Sequence, residues 1–216
     1  MSVRSMVAWG VLVLALMFAY SIWLYPNLPE QVPTHWNWKG EVDGWSSKPF
    51  GAFFLPSMTV ILWLVLLVLP WLSPRGFKVE AFRPIYNIIV LMMVVLMAYI
   101  HLVALQAALH PKLDMARALM GGILLLFAGI GALLGRVKRN FWVGVRTPWT
   151  LASEVVWDRT HRLASRVYTI VGIAGALAIL AGVPPTVALV VFFVVVFVPV
   201  VYSLVLYKQL ESKGAV

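Results

Sequence analysis

Six stretches of this chain, each near the length of a bilayer-crossing helix, contain a single charged residue between them, Arg117. They fall at about 6–24, 51–72, 84–109, 115–135, 167–183 and 186–207. A hydrocarbon core about 30 Å thick needs roughly 20 mainly apolar residues per helix. No water solvates the backbone at that depth, so each run must satisfy its own amides, and a helix does so. The fifth and sixth runs meet at Gly182-Val183-Pro184-Pro185. Proline removes a backbone donor, so a tight turn between two spans is expected there; one very long helix, five spans in all, is the alternative. The expected fold is an all-α integral membrane protein, a six-helix transmembrane bundle.

Composition excludes the competing class. Of 216 residues, 62% are hydrophobic and 12% charged, against about 45–50% and about 25% in soluble domains. Too few polar groups remain to coat a water-facing globule, so a soluble enzyme is ruled out. The absence of cysteine removes disulfides, thiolate metal sites and a thiol nucleophile. The first apolar run lacks a small-x-small cleavage site before the proline-rich segment beyond it, and is read as a retained span.

The net charge of +9 would suggest nucleic acid in a soluble protein. In a membrane protein its location matters more, because cationic loops stay cytoplasmic. With the N-terminus inside, 13 of the 17 Lys and Arg fall on the inner side, seven of them between Arg136 and Arg166. Both termini are therefore expected in the cytoplasm, and no direct nucleic-acid contact is expected. The chain divides into three parts: 1–75 as an N-terminal membrane module with an outer loop at 25–50, 76–135 as a central transmembrane hairpin, and 136–216 as a module with an inner loop at 136–166 and two C-terminal spans.

The outer loop carries Pro26, Pro29 and Pro33, which enforce an extended path without helix, and turn signals at Gly40 and Asp43-Gly44. Between them lie His35, Trp36, Asn37 and Trp38. Alternation sends the two tryptophans to one face and His35 and Asn37 to the other, a platform for a peptide or a lipid headgroup. An interfacial aromatic belt is the competing explanation. His35 and Asp43 make two candidate metal ligands without a third, which fits a hydrogen-bonded histidine better than a metal site.

The inner loop opens with a basic cluster suited to an anionic leaflet. Asn140 comes next, then Gly144-Val145-Arg146-Thr147-Pro148-Trp149-Thr150, read as a turn with one cation able to be buried. Ser153 before Glu154 has the form of a helix N-cap with an acid in the first turn, and helix is expected to run on into the fifth span. Glu154, Asp158, Arg162 and Arg166 share a face at spacing four. Membrane anchoring through Trp142, Trp149 and Trp157 competes with a folded platform, organised by Asn140 and Arg146, on which a partner docks.

Asn140, the run from Gly144 to Thr150, and then Glu154, Trp157 and His161 resemble the signature of the SdpI family of bacterial membrane proteins. Leu28-Pro29, the run from Val32 to Asn37, Gly40 and Asp43 resemble the N-terminal domain of unknown function that often precedes it. One departure is Ser165, where the family pattern has glycine. The resemblance implies a multi-pass protein of the bacterial cell membrane, without cofactor or metal, that gives immunity against a secreted antimicrobial peptide toxin. It also implies a receptor role, in which a cytoplasmic repressor is held at the membrane when toxin is bound. Mapped onto this chain, His35, Trp36, Asn37, Trp38, Gly40 and Asp43 would face toxin. Asn140, Gly144, Arg146, Thr147, Pro148, Trp149, Thr150, Glu154, Trp157 and His161 would bind the regulator or shape the loop.

Two other functions are weighed. A transporter needs intramembrane polar groups along a path, and only Asn87, His101 and Gln106 qualify, a set equally suited to interhelical hydrogen bonds. An intramembrane enzyme needs convergent acid, base or nucleophile. His35 with Asp43 lies outside and His161 with Asp158 inside, the latter spaced to hydrogen-bond on one helix face, so the chain is read as a non-enzyme.

Overall fold

Ser2 starts the first helix. Its hydroxyl accepts from the Ser5 amide at 3.1 Å, an N-cap that satisfies one of the amides a helix start leaves unpaired. Helix α1 then runs Val3–Leu24. The computed structural model describes residues 1–37 and 40–214, so the candidate Trp38 lies outside the described residues. Helix α2 is Lys48–Val68, α3 Arg83–Leu109, α4 Met115–Leu134, α5 Pro148–Ala152, α6 Glu154–Leu180, α7 Pro185–Val196 and α8 Val198–Glu211. Six helical segments are long and apolar enough to cross a membrane, the sixth made of α7 and α8 together. The chain is a multi-pass membrane protein. An even number of crossings places both chain ends on one side, here called the terminal face, and the 25–47 segment on the opposite, hairpin face.

Two local features depart from the sequence reading. The sixth span is one apolar run in sequence but breaks at Phe197, because Pro199 has no N–H to offer the preceding turn. At the break the Val196 carbonyl accepts from the Tyr168 hydroxyl at 3.0 Å. The outer segment is more ordered than an extended path: after a short 3-10 turn at Tyr25–Asn27, β1 (Gln31–Trp36) and β2 (Val42–Ser47) pair as an antiparallel hairpin. The turn between the last two spans forms as expected, with Gly182 at φ 101°.

Helices in lipid gain little from apolar burial against each other, so close approach and polar contacts hold them. α4 and α6 show the first device. A Cβ on Gly131 would lie 2.7 Å from the Thr169 amide nitrogen, and one on Gly172 2.8 Å from that of Ala128. α1 and α3 show the second. Ser21 donates to Ala52 O at 2.7 Å and lies 2.9 Å from His101 Nε2. Gln106 donates to the Tyr20 hydroxyl at 2.6 Å, and Asn87 to Met1 O at 3.1 Å. The three polar groups of α3 thus contact α1 or the residues that precede it.

Candidate functional site

On the terminal face the chain between α4 and α6 folds onto itself. Asn140 is fully buried. Its Nδ2 donates to Lys138 O at 2.8 Å and Val143 O at 2.9 Å, while its Oδ1 accepts from the Trp142 and Val143 amides, both at 2.7 Å. Every hydrogen-bonding direction of the amide is used, so one side chain closes the 138–143 turn. Beyond it the chain forms a one-turn helix, α5, where the sequence reading had a turn. Thr147 caps α5 by accepting from the Thr150 amide at 3.2 Å, and the Thr150 hydroxyl returns the bond from the Thr147 amide at 2.9 Å. Pro148 sits at the first helical position, where its missing N–H costs nothing. Ser153 caps α6 as expected, with Glu154 in the first turn.

Beneath this loop lie Trp157 and His161, both buried. Their rings stack with centroids 3.9 Å apart and planes 17° apart. Trp157 Nε1 donates to Val137 O at 2.8 Å. The Val145 amide donates to His161 Nε2 at 3.1 Å, and His161 Nδ1 lies 2.8 Å from Trp157 O. One nitrogen accepts, so the other carries the proton, and the ring is held as the neutral Nδ1–H tautomer. Gly144 crosses directly over that ring at φ 122°, and a Cβ there would overlap His161 Nε2. Only glycine meets both conditions.

Several sequence expectations change here. Trp157 is fully buried inside the protein, with no face left for headgroups. His161 bonds Trp157 O and not Asp158, because the ring turns inward while Asp158 stays exposed. Arg146 is exposed rather than buried, its guanidinium bonded to Phe141 O. Glu154, Asp158, Arg162 and Arg166 do form an exposed face. Trp149 donates through Nε1 to the buried Ser203 hydroxyl of α8. Ser165 lies against Gly135, where a glycine Cβ would be 3.6 Å away, an ordinary contact that accommodates the serine.

On the hairpin face His35 Nδ1 bonds Asp43 Oδ1, with the His35 side chain 72% exposed. Among the described residues no three His, Asp or Glu side chains converge as a metal site would require. Asn37 closes the hairpin end: its Nδ2 donates to Glu41 Oε2 at 2.9 Å, and its Oδ1 accepts from the Glu41 amide at 3.1 Å. Gly40 supplies the positive φ, 82°, at the turn. Trp36 is half-buried against Val103, Ala107 and Met115. A cavity of about 300 Å³ lies under β1, lined by Thr34, His35 and Trp36 above and by Phe54, Ala104 and Leu119 of α2, α3 and α4 below.

Sequence reasoning missed the residues that support these groups. Val32 is buried against Gly51, whose Cβ would lie 2.5 Å from it, and this seats the hairpin on α2. Val137 O, Ser203 and Ser73 receive the three tryptophan N–H groups of the inner loop, Trp142 Nε1 donating to Ser73 at 2.8 Å. Backbone acceptors and single serines carry no motif, so only the fold reveals them.

Comparison with known proteins finds matches over both segments. Residues 12–60 match a domain of unknown function, DUF1648, and residues 136–203 match the SdpI/YfhL protein family. Over 163 residues, 76% of each chain, the protein is 29% identical to the Immunity protein SdpI of Bacillus subtilis (strain 168). No solved structure matches. The first matched segment contains the hairpin, the second the inner loop and the stacked Trp157–His161 pair. The resemblance to the SdpI family is thereby borne out, and a multi-pass protein of the bacterial cell membrane is the form it takes.

Proposed function

We propose that this chain is a membrane immunity protein, which shields a bacterial cell from a secreted antimicrobial peptide toxin by binding and not by catalysis. The similarity to an immunity protein across three quarters of both chains carries the reading. Two ordered platforms on opposite faces support it. In this reading the hairpin face is outside, where His35, Trp36, Asn37, Gly40 and Asp43 meet toxin. The terminal face is cytoplasmic, where the charged side of α6 and the exposed Arg146 hold a repressor when toxin is bound. Use of the α3 polar groups in contacts with the α1 segment favours binding over transport, since a path would need them free.

The test is expression in a toxin-sensitive cell. The protein should protect, and His35→Ala, Asn37→Ala, Arg146→Ala and Trp149→Ala should each lose protection while membrane levels stay normal. Unchanged protection in all four refutes the site assignment. Orientation is read separately: with no native cysteine, a single Cys at Glu41 should label from outside and one at Ser212 only after permeabilisation. The receptor role stands or falls on whether a small DNA-binding regulator moves to the membrane on toxin exposure. A regulator that stays soluble removes that role and leaves immunity.

A further inference from the structure

A polar cavity of about 500 Å³ opens on the terminal face between three separate parts of the chain. Lys78 comes from the α2–α3 connection, Lys138 and Arg139 from the loop beyond α4, and Glu154 and Asp158 from the first two turns of α6. Three cations face two carboxylates, an excess of one positive charge. Arg139 is already engaged, donating to Leu151 O at 2.9 Å and pairing with Glu154 at 3.3 Å. Among the described residues the side chains of Lys78, Lys138 and Asp158 have no hydrogen-bond or ion-pair partner. The Arg139 guanidinium lies 5.4 Å from the centroid of the Phe77 ring, and Phe77 packs edge-on against the exposed Phe141 at 6.4 Å. Beside Arg139 the polar cavity is therefore flanked by two aromatic side chains, both in the connections between spans.

We infer that this cavity is a binding site for a zwitterionic phospholipid headgroup bearing a primary ammonium, of the phosphoethanolamine type. Basic pockets between spans at a membrane surface hold lipid phosphates, and Lys78 and Lys138 supply two unpaired cations for one phosphate. A purely anionic headgroup would leave Asp158 unpaired and repelled. An ammonium satisfies Asp158 with a charge-assisted hydrogen bond, while the phosphate lies between Lys78 and Lys138. The acyl chains leave across Phe77 and Phe141. Recognition is independent of toxin binding and of which face is cytoplasmic.

The test is lipid retention by the full chain. The protein is reconstituted in bilayers of equal phosphatidylethanolamine, phosphatidylcholine and phosphatidylglycerol, then extracted and weighed intact with its bound lipid. Phosphatidylethanolamine should be retained about tenfold over phosphatidylcholine, whose trimethylated ammonium cannot donate to Asp158, the factor expected for one hydrogen bond to a charged group. Asp158→Asn should abolish that preference, and Lys78→Gln with Lys138→Gln should lower retention of all three lipids. The three side chains are exposed and without partners, so melting should stay near wild type. Equal retention of ethanolamine and choline lipids overturns the inference. So does a phosphatidylglycerol preference that rises in Asp158→Asn, which would mark a plain anion site. Displacement of the lipid by soluble glycerophosphoethanolamine at equal concentration would show that no bilayer lipid is being selected, and also overturns it.

Discussion

Gly144→Ala is the sharpest test of how the inner loop is built. The new methyl group would overlap His161 Nε2 while the backbone is held at φ 122°. Holding a non-glycine residue in so sparsely populated a region costs about 1–3 kcal/mol. If the loop lifts to relieve the overlap, the buried Val145 amide loses its bond to His161 Nε2, a further cost of about 1–3 kcal/mol for an unsatisfied donor. The total, about 2–6 kcal/mol, is a large fraction of the about 5–15 kcal/mol by which a domain is typically stable. Thermal unfolding of purified protein in one detergent gives the readout. Gly121→Ala is the control, since a Cβ there meets nothing within 4 Å and alanine is the better helix former. A double-mutant cycle with His161→Ala separates the two costs. In that background the overlap is gone and the Val145 bond is already lost, so the double variant should fall short of the sum by about 1–3 kcal/mol. Gly144→Ala within about 0.5 kcal/mol of wild type, or strict additivity with His161→Ala, would refute the reasoning.

Asn140→Ala should strip acceptors from the Trp142 and Val143 amides at about 1–3 kcal/mol each, seen as faster amide hydrogen exchange confined to the 138–145 turn and a lower melting temperature. Trp157→Phe keeps the stack on His161 but leaves Val137 O without its donor, so it should lose about 1–3 kcal/mol in the same unfolding assay. Gly172→Ala should cost about 1–3 kcal/mol through overpacking, because its Cβ would lie 2.8 Å from the Ala128 nitrogen on the neighbouring helix.

What sequence made legible here was set by length and by short-range chemistry. Six spans emerge from run length and hydropathy, and the α6 start from Ser153 beside Glu154, both local signals. The break at Phe197 hid inside an apolar run, where hydropathy outweighs one proline. The hairpin hid for a different reason. Pro33 and two register irregularities between Pro33 and Trp36 interrupt the alternation that marks a strand, and the floor it needs, Gly51 of α2, is given by no turn signal. Trp157 and His161 misled for a third. Tryptophan beside a span suggests an interface, and histidine three residues from an aspartate suggests a pair, unless the Val145 amide and Val137 carbonyl that receive them are known. Arg146 lies in the most specific motif of the chain, yet it is exposed and bonded back to Phe141 O, which no spacing rule anticipates.

The same two helices close both platforms. At the hairpin tip a Gly40 Cβ would lie 3.2 Å from Ala116 Cβ in the first turn of α4. One residue on, Arg117 pairs with the α4 cap Asp114 and bonds Ile179 O at the far end of α6. Midway, Gly131 and Gly172 bring α4 and α6 into backbone contact. Just beyond the end of α4, Val137 O accepts a hydrogen bond from Trp157 Nε1 of α6. α6 holds Trp157 and His161, and through them the Gly144–Val145 backbone. The polar residue left over by six apolar spans is thus not scattered between two unrelated surfaces but mounted on the two ends of one rigid pair.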